Sequence, residues 1–282
     1  MTLKSYAKIN LGLRILHKRP DGYHDLETIF HEINLWDEIE FSPSPRIEIH
    51  VQPQGLPSDE NNLCHKAAQL LRTQCNIASG VSIKLVKQIP VGAGLGGGSS
   101  NAATVLRGLR KFWKVALTDD DLLKLGAQIG SDVPFFIKGG SAYATGRGEQ
   151  LEPLSLRLPF WIVTATPKVH VSTPWAYTAL RWNETRRPLP LKARWHPLPT
   201  REELRELLRN DFEPVVFGAY PAIADLHRQY MEMGAAAVAL SGSGSTMYGL
   251  FENEIKAVEA RNRLAGDAAT SFTEPEFSAE RT

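Results

Sequence analysis

Pro90-Val91-Gly92-Ala93-Gly94-Leu95-Gly96-Gly97-Gly98-Ser99-Ser100-Asn101-Ala102-Ala103 is the stretch whose reading decides the rest of the chain. Five glycines within positions 92–98 exclude a helix or strand interior, where each would cost backbone entropy. They let a loop approach a ligand closely and turn its N–H groups inward. Directly afterwards Ala102, Val105, Leu106, Leu109 and Phe112 follow the rhythm of one buried helix face. Ser99, Ser100 and Asn101 are N-cap residue types standing at the joint. A glycine loop feeding a helix N-terminus is an anion site, because unpaired N–H groups and the helix dipole favour phosphate there. A purely structural loop is the plainer reading of the same run.

Several familiar phosphate loops do not fit. Gly92-x-Gly94-x-x-Gly97 has the dinucleotide spacing, but that motif needs a strand–turn–helix–strand unit closed by an acidic residue. Here Leu117-Thr118-Asp119-Asp120-Asp121-Leu122-Leu123 follows and reads as another helix start. A Walker A loop requires Lys-Ser/Thr where Gly98 and Ser99 stand. The His-Arg-Asp and Asp-Phe-Gly signatures of protein kinases are absent from the sequence.

The 282 residues are 43% hydrophobic, enough for one large domain or two medium ones. A net charge of +1, from 32 basic and 31 acidic residues, supplies no global field for nucleic acid or membrane. Local groups must therefore hold any phosphate. No apolar run approaches the ~20 residues of a membrane span. Strand-like sequence begins almost at the N-terminus, leaving no room for a signal or transit peptide, and a cytoplasmic location is expected. Cys64 and Cys75 fall on one helix face roughly 16 Å apart by helical rise, too far to pair. The histidines show no metal-ligand spacing, so no protein metal site is expected.

Ala7, Ile9, Leu11, Leu13 and Ile15 alternate with polar residues as in a half-buried strand, which aims Lys8 and Asn10 from one face. On pattern alone Lys8 is more often a solvated strand lysine. Pro20-Asp21-Gly22 marks a turn before Tyr23 and His24, which could pack or touch a ligand. Residues 27–36, 37–41 and 46–51 suggest a run of antiparallel strands, 59–74 a helix and 81–86 a strand entering the glycine loop. Thr118 caps a second helix ending near Gly130. Pro134 should push Val133 out of the helical region, leaving Asp132 in a tight turn beside an apolar strand over 133–136. Such an Asp is often only a cap or turn acceptor.

Residues 139–148 suggest a hairpin, and the pattern resets at Glu152-Pro153, which divides the chain into domains 1–153 and 154–282. A strand over 160–166, a helix starting at Thr173-Pro174 and holding Trp175 and Tyr177, and helices over 201–209, 221–233 and 254–264 follow. Residues 181–199, rich in Trp, Pro and Arg, read as a long surface connection. Ser241-Gly242-Ser243-Gly244-Ser245 lies between apolar strands as a hairpin turn or a small anion-binding loop.

Taken together, Ala7-Lys8-Ile9-Asn10-Leu11, Pro90–Ala103 and Leu240–Ser245 resemble the three motifs of the GHMP kinases, which phosphorylate alcohols of small metabolites with ATP. Arg19–His24 and Ile129–Phe136 resemble the branch acting on a cytidine diphosphate-linked methylerythritol in the non-mevalonate route to isoprenoid precursors. The resemblance spans roughly residues 7–251. It implies an α+β fold of two domains, an N-terminal ribosomal-S5-domain-2-like one and a C-terminal ferredoxin-like one, with the site between them. It implies ATP as co-substrate, Mg2+, a small-molecule substrate phosphorylated on its 2-hydroxyl, and no nucleic acid, membrane or obligatory protein partner. By the same resemblance Asp132 is the catalytic carboxylate and Lys8 the lysine beside it, within hydrogen-bond reach. Pro90, Gly92, Gly94, Leu95, Gly96, Gly97, Gly98, Ser99 and Ser100 form the ATP loop. Asn10 and Thr173 contact the acceptor, Tyr23 and Tyr177 wall the cytosine, and His24 reads its edge. A GHMP kinase for another alcohol, such as mevalonate or homoserine, would not need the Gly22-Tyr23-His24 turn. A non-catalytic nucleotide-binding relative would not need Lys8 and Asp132.

Overall fold

The computed structural model describes residues 1–180, 191–195 and 198–280. Its first half runs β1 (Thr2–Lys18), β2 (His24–Ser44), β3 (Ile47–Gln52), α1 (Leu63–Gln74), β4 (Gly80–Val86), α2 (Gly97–Phe112), α3 (Asp119–Ile129), α4 (Val133–Lys138), β5 (Ser141–Thr145) and β6 (Gln150–Leu154). These strands form one sheet in the order β3-β4-β2-β5-β6, with β1 paired antiparallel to β2. The three expected segments over 27–51 resolve differently. β2 is one continuous strand, and β3 pairs parallel to β4 rather than antiparallel to its neighbour. The β3–β4 connection carries α1, and a crossover of that kind is what parallel pairing needs. The four helices pack on this sheet, burying Ala102, Val105, Leu106 and Leu109 of the predicted α2 stripe.

Two local expectations need correction. Val133–Phe136 is not strand but the start of α4, with Pro134 in its first turn. Proline is tolerated there because that N–H has no intrahelical partner to lose. The predicted half-buried strand at the N-terminus is covered on both faces from Ser5 to Leu13. It is sandwiched between α2 and the second half of the chain, so alternation along it does not mean exposure. Elsewhere local chemistry acts as read: Thr118 and Asp121 form a capping box at the start of α3. Cys64 and Cys75 are free thiols at either end of α1.

The second half runs β7 (Trp161–Pro167), α5 (Thr173–Ala179), a 3-10 turn at Leu191–Trp195, α6 (Arg201–Leu207), α7 (Glu213–Ala219), α8 (Pro221–Glu232), β8 (Ala237–Leu240), β9 (Met247–Phe251), α9 (Glu254–Leu264) and β10 (Ala268–Thr273). Its sheet has the order β10-β7-β9-β8 with every pair antiparallel. That order is the ferredoxin-like one. Most of the connection expected over 181–199 lies outside the described residues. Its described part is no surface strap, since Leu191 and Trp195 are buried with Leu204 and Leu207. α7 and β10 were not read from the sequence. The halves meet along β1, where Ile9 and Leu11 pack with Tyr248 and Leu250, and the Tyr248 hydroxyl donates to the Asn10 carbonyl at 2.7 Å.

Candidate active site

The glycine loop leaves β4 and becomes α2 through Gly96, which sits at φ +69° as the helix N-cap. A side chain there is excluded twice over, by the left-handed backbone and by Phe136, whose ring would lie 2.7 Å from a Cβ. Gly94, at φ +82°, would place a Cβ 1.9 Å from the Ser241 carbonyl oxygen, so the second and third motifs touch. The first intrahelical bond of α2 is Ser100 N–H to the Gly96 carbonyl, 2.9 Å. The N–H groups of Gly97, Gly98 and Ser99 precede it and have no carbonyl one turn earlier to bond. Ser99, Ser100 and Asn101 are therefore first-turn residues rather than caps. Ser100 is turned inward, its hydroxyl donating to the Tyr6 carbonyl at 2.5 Å. A Cβ on Gly97 would meet Ile89 at 2.9 Å and the Lys87 ammonium at 3.1 Å, whereas on Gly98 it would meet only Leu63 at 3.5 Å. Gly98 is thus the loop glycine that faces outward.

Beneath the loop lies a polar hub that sequence reading missed. Asp37 is fully buried in β2 and accepts from the Gln88 and Ile89 N–H groups, the Lys87 ammonium and the Asn101 carboxamide. One carboxylate so ties the exit of β4 to the first turn of α2 and fixes the loop between them. Nothing local in Leu35-Trp36-Asp37-Glu38 distinguishes it from a strand-edge acid.

Lys8 and Asp132 face one cleft of about 1030 Å³, which also takes in Asn10, Tyr23, His24, Gly94, Gly96, Thr173 and Tyr177. Residues from both halves of the chain line it. Lys8 is 4% exposed, so the solvated-lysine reading does not hold. Its ammonium donates to the Asn10 side-chain oxygen at 2.6 Å and to the Gly94 carbonyl at 3.0 Å, and lies 5.0 Å from the Phe30 ring centre. Burial lowers its pKa, and the Asp132 charge pulls the other way. The two groups sense each other without touching: among the described residues no hydrogen bond or ion pair joins Lys8 to Asp132, contrary to the expected contact. Asp132 is the N-cap residue of α4, yet its side chain makes no capping bond. Asn10 is spent within the protein, accepting from Lys8 and donating to the Thr28 hydroxyl at 3.0 Å.

The aromatic end of the cleft is built by the turn after β1. Tyr23 stands 57% exposed, with the Arg147 guanidinium 4.7 Å from its ring centre. His24 stacks on Tyr177, ring centres 4.8 Å apart, and Phe212 meets Tyr177 edge-on at 4.9 Å. Burial, then the Lys18 charge, lowers the His24 pKa, which keeps the imidazole neutral and able to accept as well as donate. The Tyr177 hydroxyl is pushed up to about 12 by burial and then by the Asp132 charge. Thr173 shares a hydrogen bond with Ser243 of the third motif at 2.7 Å. Lys18, Arg147 and Phe212 also line the cleft and were not singled out from the sequence. The glycine-spaced stretch around Arg147 carried a signal for a turn but none for a cation, and Phe212 precedes the unread helix α7.

A second cavity, about 390 Å³, opens on the other side of the glycine loop. Val51, Leu56, Pro57, Leu63 and Leu85 make it apolar, and Lys87 stands at its edge. Both cavities reach Gly94 and Gly96, so the loop is the wall between them.

Against known proteins, the profile of the GHMP kinases N terminal domain matches residues 62–140 and that of the GHMP kinases C terminal domain residues 198–269. A protein of Prosthecochloris aestuarii named 4-diphosphocytidyl-2-C-methyl-D-erythritol kinase is 46% identical over 99% of this chain and 98% of its own. Its namesake from Chlorobium limicola is 45% identical over 100% of this chain and 99% of its own. A crystal structure of 4-(cytidine 5'-diphospho)-2C-methyl-D-erythritol kinase superposes with a TM-score of 0.85 at 34% identity, covering 99% of this chain and 100% of that one. A mevalonate kinase structure superposes with a TM-score of 0.76 at 15% identity, over 99% of this chain and 100% of that one, which speaks for the fold alone. The chain belongs to the GHMP kinases and, within them, to the 4-diphosphocytidyl-2-C-methyl-D-erythritol kinases.

Proposed function

We infer that the protein transfers a phosphoryl group from ATP to the 2-hydroxyl of 4-diphosphocytidyl-2-C-methyl-D-erythritol. The observation that carries this reading is a half-buried carboxylate, Asp132, facing the Lys8 ammonium across a cleft that the glycine loop borders. Among the described residues the Asp132 side chain has no hydrogen-bond or ion-pair partner. An alcohol is a poor nucleophile at neutral pH, and its proton must leave as the new O–P bond forms. Asp132 accepts that proton. Lys8 lies where the loop ends, and its charge offsets that of the transferring phosphoryl group. The phosphates of ATP rest on the N–H groups of Gly97, Gly98 and Ser99 and on the α2 N-terminus. The apolar cavity beyond the loop takes the adenine, with Pro90 and Gly92 on its wall, whereas the Leu95 side chain, expected with them, is buried in the core and lines neither cavity. Cytosine lies against Tyr23 and Tyr177, and His24 reads its ring edge; Asn10 and Thr173 flank the acceptor.

Among the described residues no group of three or more His, Cys, Asp or Glu could hold a metal ion. Magnesium would be brought to the cleft by the phosphates of ATP and would there offset part of their charge. We keep the domain division near 153/154, at the end of β6 (Gln150–Leu154) and before β7 opens the other sheet at Trp161. No described helix is long and apolar enough to cross a membrane, and we place the enzyme in the cytoplasm without an obligatory protein partner. An ATP-dependent phosphorylation screen tests the whole reading, comparing 4-diphosphocytidyl-2-C-methyl-D-erythritol with mevalonate, homoserine and galactose. Preference for the cytidine substrate is expected. Equal or better turnover of mevalonate or homoserine would overturn it.

A further inference from the structure

Asn210 lies outside both cavities, between α6 and α7, and is 3% exposed. Its carboxamide is fully used. The nitrogen donates to the Leu240 carbonyl at 2.8 Å and to the Gly242 carbonyl at 2.7 Å, and the oxygen accepts from Phe212 N–H at 2.9 Å. The flipped orientation would set an oxygen against two carbonyls and a donor against an N–H, so only this one is satisfied. The two carbonyls bracket Ser241. That residue's hydroxyl donates to the Gly94 carbonyl at 3.0 Å, the same oxygen that receives the Lys8 ammonium at 3.0 Å. There is little slack at this joint, because a Cβ on Gly94 would already lie 1.9 Å from the Ser241 carbonyl oxygen.

The segment holding Asn210 is itself bolted to the strand that carries Lys8. Leu13 N–H donates to the Arg209 carbonyl at 3.1 Å, and Asp211 N–H to the Leu13 carbonyl at 2.9 Å. Ile15 N–H donates to the Asp211 carboxylate at 2.8 Å. Asn210 therefore closes a ring of contacts: from β1 through its own side chain to the turn over 240–242, through Ser241 to Gly94, and back to Lys8 on β1. A ring of this kind sets a distance that no single member of it can set alone.

We propose that Asn210 is a positioning residue of the phosphoryl transfer, locking the Ser241–Gly242 turn so that Ser241 and Lys8 share the Gly94 carbonyl and Lys8 is held at the reacting end of the cleft. The proposal rests on the role of Lys8 given above. Displacing a group that acts on the transferring phosphoryl by about 1 Å costs on the order of 10²-fold in rate. The loss should fall on kcat, because Asn210 touches neither ligand cavity.

Asn210→Asp tests it most sharply, since the shape is kept while both donations are lost and a carboxylate faces two carbonyls. The expected result is a fall in kcat of about 10²-fold, with the KM for the cytidine substrate changed less than about threefold. Ser241→Ala breaks the next link without changing the fold and should lower kcat in the same direction by a smaller factor. The double variant should lose less than the product of the two single losses, because both cut one chain of contacts. Leu264→Ala, in the α9 core, serves as a variant of reduced stability and should keep kcat at temperatures where it is folded. Folded Asn210→Asp protein with kcat within about threefold of the parent overturns the proposal. If Asn210→Asp does not fold, unchanged kcat in Ser241→Ala overturns it instead. Lys8→Met run alongside separates the two readings. Retained kcat there removes the role of Lys8, whereas loss in Lys8→Met with retention in Asn210→Asp removes the proposal alone.

Discussion

Replacing Glu213 with Gln should stabilise the protein in a way that depends on pH. Glu213 opens α7, is partly buried, and accepts a hydrogen bond from Leu240 N–H at 2.9 Å. Burial pushes its carboxyl up from 4.5 to about 7, against the opposing pull of the Leu240 N–H and of the Arg209 and Arg14 charges. The Tyr248 hydroxyl also faces it and is held neutral, raised by burial and by the Glu213 charge. A carboxyl whose folded pKa lies above its unfolded value favours folding while it is protonated. The stability it contributes is complete below the unfolded pKa and is lost as pH climbs through about 7. The full shift corresponds to about 3 kcal/mol, and solvent access to a partly buried group trims this to about 2 kcal/mol. Gln cannot ionise, and its side-chain oxygen can still accept from Leu240. Urea unfolding at about pH 5 and about pH 8 should therefore show Glu213→Gln more stable than the parent by about 2 kcal/mol at the higher pH, and by about a quarter of that at the lower one. A difference that does not change with pH would falsify the raised pKa. A variant less stable at the higher pH would show that the ionised carboxylate is a net anchor of the 240–245 turn.

Asp132→Asn keeps the shape of the side chain and removes the base, so kcat should fall roughly 10²–10⁴-fold while both ligands still bind by calorimetry. Retention of more than about a tenth of the parent kcat would reduce Asp132 to a bystander at the start of α4. Tyr177→Ala removes an aromatic face worth about 1–3 kcal/mol of stacking and also the ring against which His24 rests. The KM for the cytidine substrate should rise about tenfold or more with the KM for ATP unmoved; equal losses for both substrates would make Tyr177 a packing residue.

What could be read from the sequence is what local chemistry dictates. The glycine loop, the Thr118 cap and the α2 stripe each follow from residues within one or two turns of one another. Lys8 and Asp132 were singled out individually by pattern and turn chemistry, and paired only through the family resemblance. The errors share one cause. Pro134 was read as pushing the preceding Val133 out of the helical region, although Val133 opens α4 and Pro134 at its second position removes no bond. Alternation along β1 was read as one wet face, although the second domain covers that face. Asp37 and Asn210 were missed outright. A buried acid or amide is recognised by the N–H and C=O groups brought to it from elsewhere, and those arrive from positions 51 and 52 residues away for the Gln88 and Ile89 contacts of Asp37 and 30 and 32 residues away for Leu240 and Gly242 of Asn210. No window of sequence contains both partners.

The separation of Lys8 from Asp132 changes how the chemistry divides between them. A lysine bonded directly to the carboxylate would occupy a lone pair that the acceptor hydroxyl needs and would hold the base by its charge. Here the ammonium spends its donors on Asn10 and Gly94 instead. In the proposed reaction Asp132 would keep its oxygens for the substrate, and Lys8 feels its charge without bonding to it. Burial works against the charged ammonium and the Asp132 charge favours it, so the two carbonyl-type oxygens that accept from Lys8 act in the same sense as Asp132. In a loose transition state for phosphoryl transfer, where charge spreads over the equatorial oxygens and bond-making to the nucleophile is slight, a fixed cation and a correctly placed hydroxyl matter more than the strength of the base. The geometry suits that balance. Lys8 is held by a ring of side-chain and main-chain contacts reaching into the second domain, while the proposed base stands at the start of a six-residue helix with nothing but the cleft in front of it.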